Sequence, residues 1–197
     1  MSKFIVVILA ALFVNIAHAG NHEDGEAAYK ARNYALAINK FTLGAMEGNF
    51  TSFWRLGIMK RRGEGNINDI KKIIEKLKSS AENGNVEAQL MIGSAYLNAN
   101  IVDTNCKEGV RWYKLAAANG NGVAQHNLGG LYFDGQCVPI NYVYGYMWWS
   151  LAVAQNDTEL DKRILNGYAT NKMTREQVSE AQRLASMCYK NNYKNCD

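Results

Sequence analysis

Proline is nearly absent, one residue in 197, where an average chain carries about 5%. That removes the commonest interrupter of helices and strands and favours many helices joined by Gly and Asn turns. Long blocks of like charge are missing too: 22 Lys and Arg stand against 18 Asp and Glu, a net charge of +4 spread without a stripe. Neither a nucleic-acid interface nor a polybasic membrane anchor is expected. Histidine occurs three times, and the chain lacks any HExxH, GxSxG, GxGxxG, Walker or EF-hand pattern. A Ser-x-x-Lys acylation motif is also absent; Thr104-Asn105-Cys106-Lys107 comes nearest, at a helix cap. No catalytic residue, cofactor or metal is therefore expected, and His126 reads as a surface or groove-edge residue. The remaining composition, 48% apolar and 20% charged with 17 Gly, excludes disordered and collagen-like polymers.

Residues 1–19 read as a secretory leader. Lys3 supplies the positive start, Phe4 to Val14 the apolar stretch, and Ala17-His18-Ala19 a small-x-small site with cleavage between Ala19 and Gly20. Phe4 to Ala19 is 16 residues, short of the roughly 20 a spanning helix needs. A periplasmic or secreted protein, with no stable membrane insertion after cleavage, is expected. The cysteines, Cys106, Cys137, Cys188 and Cys196, all follow the leader. An even count in an oxidising compartment suggests two disulfides, with three possible connectivities. Cys106 with Cys137 and Cys188 with Cys196 is the favoured pairing; the spacings contain no CxxC, which argues against zinc.

An internal period of 36 residues organises the rest. Gly48-Asn49, Gly84-Asn85, Gly120-Asn121 and Asn156-Asp157 recur at that spacing, as do Asn33, Asp69, Asn105 and Asn141. Asn and Asp are good helix N-caps, and Gly ends a preceding helix through positive φ. Two helices per unit follow: a first helix with apolar slots such as Phe41, Leu77, Tyr113 and Trp149, and a second with Leu56, Ile92, Leu128 and Ile164. Gly57, Gly93 and Gly129 fall inside the second helix, where only close helix approach would compensate their poor helix propensity. Near the C-terminus, Thr174-Arg175-Glu176-Gln177 is a capping box before a further apolar stripe.

Trp112-Tyr113, Ala116-Ala117, Gly120, Ala124-Gln125, Leu128-Gly129, Tyr132 and Gly135 together resemble the consensus of the Sel-one-like repeat (SLR) family, a tetratricopeptide-like α-solenoid group. The resemblance covers about residues 33–170. It implies an all-α, right-handed α-α superhelix of four 36-residue helix-turn-helix repeats (33–68, 69–104, 105–140 and 141–170). A leading helix in 20–32 and a capping helix with a disulfide tail in 171–197 complete the expected layout. Departures include Ser52-Phe53-Trp54 where the pattern has Ala-Gln, and Leu165 in place of the second-helix glycine. The implied function is that of a monomeric adaptor or scaffold for a protein or peptide partner. The alternatives are a β-lactam-binding or hydrolysing enzyme, as in a cysteine-rich branch of the family, and a structural component of an envelope or motility assembly. Here only repeat three and the tail carry cysteines.

Slots whose residue type changes between repeats are free to carry specificity. On the first helix these form two ladders, Asn39, Glu75, Arg111, Met147 and Leu36, Lys72, Glu108, Tyr144. If first helices line the concave surface, as the resemblance implies, these are the groove candidates. Trp112 and Trp148 fall in recurrent packing slots and read as core.

Overall fold

Asparagine side chains set the helix starts. In the computed structural model, which describes residues 20–65, 70–98, 102–156, 162, 163, 165, 167 and 170–196, six caps recur. The side-chain oxygens of Asn33, Asn49, Asn85, Asn105, Asn121 and Asn141 each accept from the backbone N–H three residues on, at 2.8 to 3.2 Å. Each satisfies an N–H that the first helical turn leaves unpaired. The helices are α1 (20–30), α2 (Tyr34–Met46), α3 (Phe50–Arg62), α4 (Ile70–Glu82), α5 (Val86–Leu97), α6 (Cys106–Ala118), α7 (Gly122–Asp134), α8 (Tyr142–Asn156) and α9 (Arg175–Lys190). Gly48, Gly84 and Gly120 take φ of 95°, 90° and 81° between paired helices, the left-handed geometry that lets the chain reverse in a two-residue turn.

The described residues contain no strand, and their helices form the repeated helix-turn-helix series of an α-solenoid. The leader with Ala19, the Asp69 cap and most of the second helix of repeat four lie outside them. No described helix is long and apolar enough to cross a membrane. They fall into two compact units, one running to Ser79 and taking Val102, the other from Ser80 on.

In the first unit, α2 and α3 pack around Ala37, Phe41, Phe53, Leu56 and Met59, all fully buried. The leading helix runs over residues 20–30. Side-chain bonds hold its early turns. Asn21 donates to Glu47 at 2.9 Å, His22 is hydrogen-bonded to Ser52 at 3.0 Å, and Glu26 pairs with Arg55. Tyr29 donates to Glu64 at 2.8 Å.

In the second unit, α5 crosses α6 and α7 crosses α8 at paired glycines. A Cβ on Gly93 would run into the Tyr113 ring, and one on Gly129 into Trp149. Close approach is thus what these glycines provide. Gln89 and Gln125 repeat a second device, each donating from its side chain to a first-helix carbonyl, Ala81 at 3.1 Å and Ala117 at 3.2 Å. Trp112 and Trp148 are core residues. At the starts of their helices, Tyr34 and Tyr142 are half-buried and Cys106 is exposed.

Helix α9 starts at the expected capping box, Thr174 accepting from the Gln177 N–H and Gln177 accepting from the Thr174 N–H, and packs on α8. The disulfides are Cys106–Cys137 and Cys188–Cys196, with Cα atoms 5.0 and 5.1 Å apart. The second closes a tail loop whose Tyr193 ring lies 3.5 Å from the position a Cβ on Gly120 would take; Gln155 donates to the Tyr193 hydroxyl.

Candidate interaction surface

Helix α2 reads YALAINKFTLGAM, with few polar residues on any side. Such a helix has apolar residues left over after its core stripe is buried. Phe41, Gly44 and Ala45 face the core, while Leu36, Leu43 and Met46 remain 45%, 42% and 41% exposed. Ile38, Asn39, Leu43 and Met46 line a groove of about 510 Å³, with Lys76 of α4 supplying a cation on its wall. Single exposed apolar residues are ordinary; a contiguous apolar stripe around a groove marks a contact surface.

Four expected groove residues belong to this first unit, among them Leu36, exposed on α2. Asn39 lines the groove, and Lys72 and Glu75 are exposed on α4, which also carries Lys76. In the second unit, Glu108 accepts from Arg111 through both carboxylate oxygens, at 2.9 and 3.2 Å. That bond is the main reason the Arg111 guanidinium is held above its ordinary pKa. Its charge also lies 4.2 Å over the Trp112 ring, a cation–π contact. Tyr144 is half-buried against Tyr132, ring centroids 5.5 Å apart, and Lys114 lies 5.8 Å from the Tyr132 centroid.

Met147 is a correction. The ladder position exposed at Asn39, Glu75 and Arg111 is 0% exposed at Met147. Helix α8 has α7 on one side and α9 on another, and its sequence, YVYGYMWWSLAVAQN, is apolar nearly all round. The position is core in this repeat and offers nothing to a partner.

Sequence reasoning passed over Leu43 and Met46. The available signal was the uniform apolarity of α2, since one stripe cannot bury it all.

His22 Nδ1 lies 3.0 Å from Ser52 Oγ, the reach of a nucleophile and its base. Ser52 is fully buried, so no substrate reaches it, and the pair tethers α1 to α3. Burial raises the Tyr113 phenol above its usual pKa, against opposing hydrogen bonds with Ser94 and Asn127. Among the described residues no group of three or more His, Cys, Asp or Glu could hold a metal ion.

A family model for the Sel1 repeat matches residues 86–121 and 122–157. Each match opens on a second helix, α5 or α7, and closes after the following first helix, α6 or α8, so it contains one of the glycine crossings. Among solved structures, the chain is similar to a protective antigen of uropathogenic Escherichia coli strains that displays an SLR fold. The identity is 27% with a TM-score of 0.62, over 82% of this chain and 34% of that one. The chain thus spans about a third of that protein's length. It is also similar to a Sel1 repeat protein from Oxalobacter formigenes, at 28% identity and a TM-score of 0.47, over 66% of this chain and 96% of that one. No curated protein sequence matches.

Proposed function

We propose, from a chain that carries two Sel1 repeats in an SLR fold, that it is an exported, non-enzymatic scaffold binding a protein or peptide along its first-helix faces. Sel1 repeats generally mediate protein–protein interaction. The observation that carries the reading is the outward face of α2, where Leu36, Leu43 and Met46 stay exposed and the last two line a groove of about 510 Å³. Helices fixed by caps and close packing present such a face preformed, so a partner orders itself against a surface that is already rigid. Asn39, Lys72 and Glu75 supply polar specificity beside it; Glu108, Arg111 and Tyr144 offer a second, more polar patch. Export is supported by the leader pattern of residues 1–19 and by the two disulfides.

The test places a photo-crosslinking amino acid at Asn39 and exposes the protein to envelope and secreted fractions. A crosslinked protein is expected, and its yield should fall at least tenfold in a Leu43→Glu, Met46→Glu variant that keeps its helical circular dichroism. Equal yield from that variant, or no crosslinked protein at all, would sink the assignment of the α2 groove.

A further inference from the structure

Gly130 is a glycine that packing does not explain. Gly93, Gly109, Gly129 and Gly145 each sit where an added Cβ would press into a ring, a side chain or a carbonyl oxygen. At Gly130 an added Cβ meets nothing within 4 Å, although the residue lies inside α7, where glycine is a poor helix former. The positions one and two periods earlier are Ser94 and Ile58. What Gly130 does is leave open the wall of a pocket of about 230 Å³ within the second unit, on α5, α6 and α7.

The pocket is lined by one carboxylate together with the neutral polar side chains of Asn98, Tyr113, Asn127 and Gln136 and the imidazole of His126. Asp134 contributes a carboxylate, and among the described residues no lysine or arginine lines the pocket. Asn127 donates from its nitrogen to the Tyr113 hydroxyl at 3.2 Å. Asn98 donates from its nitrogen to the Ser94 carbonyl at 3.0 Å. Each amide also carries a carbonyl oxygen that can accept. Leu97 and Leu131 supply apolar wall. A carboxylate with two amide oxygens matches a planar cation with several N–H donors and an aliphatic stem.

We propose that this pocket binds a guanidinium group, with Asp134 as counter-charge, Asn98 and Asn127 as acceptors, and Leu97 and Leu131 against the methylene stem. The site is separate from the α2 groove and does not depend on it.

The test titrates two probes, agmatine and a blocked Gly-Arg-Gly tripeptide, into the disulfide-intact chain, following the amide resonances of Asn127 and Gly130. A saturable shift is expected, weakened about tenfold or more by Asp134→Asn. A tripeptide carrying uncharged citrulline should bind correspondingly worse. Gly130→Leu fills the pocket and should abolish the shift; should that variant misfold, Asp134→Asn, which keeps the shape, still decides. Binding of both probes identifies an arginine side chain of a partner as the ligand, and binding of agmatine alone identifies a free small molecule. No saturable shift with either probe, or equal affinity in Asp134→Asn, overturns the proposal.

Discussion

Gly93 and Gly109 face each other across α5 and α6 so closely that a Cβ built on either would stand 3.2 Å from the carbonyl oxygen of the other. Gly93→Ala should therefore destabilise the fold by about 1 to 3 kcal/mol, the usual cost of overpacking, because the Tyr113 ring must move. Gly130→Ala, in open space, should stabilise by about 0.5 to 1 kcal/mol through helix propensity alone. Urea denaturation separates the two; a matching sign for both variants would contradict the packing described.

The two disulfides differ in the loop they close. Cys106 and Cys137 are 31 residues apart and Cys188 and Cys196 are 8 apart. In the chain-entropy model these are worth about 3.7 and 2.5 kcal/mol. Replacing the first pair with serine should lower the melting temperature more than replacing the second. Non-reducing peptide mapping of the native chain should recover 106 with 137 and 188 with 196.

Thr174 caps α9, and Gln177 completes the box. Thr174→Ala should cost about 1 kcal/mol. Because α9 covers α8, the loss should appear as faster hydrogen exchange in α9, with α5 and α6 unchanged.

Burial raises the pKa of Tyr113. The unfolded phenol ionises near 10 while the folded one resists. The stability tied to this group is whole below about pH 10 and is lost as pH rises above it, by at most about 1.4 kcal/mol per pH unit. Tyr113→Phe should show a shallower alkaline decline of stability than the parent chain, although it lacks the Asn127 hydrogen bond at neutral pH.

Most of the fold was legible because it is written in local chemistry. An Asn at a fixed spacing is a cap whatever surrounds it, and Asn33, Asn49, Asn85, Asn105, Asn121 and Asn141 all cap as read. The mid-helix glycines were legible for the same reason, since an unfavourable residue at a regular spacing needs a contact to explain it. Met147 was not legible. It is fully buried on a helix that is apolar nearly all round, and periodicity describes only what recurs. Gly130 escaped notice beside Gly129, because two adjacent glycines read as one feature until the contacts of each are separated.

The Gly129–Gly145 crossing reproduces the Gly93–Gly109 crossing one period later, with Trp149 where Tyr113 stood. The joint between hairpins is therefore generic, and the segment 105–140 carries its own staple, Cys106 to Cys137. A chain with that segment duplicated in tandem presents the joint once more and should grow by one hairpin, the α9 cap still closing on α8. Length in this architecture behaves as a count of modules, adjustable by insertion without redesign of any core.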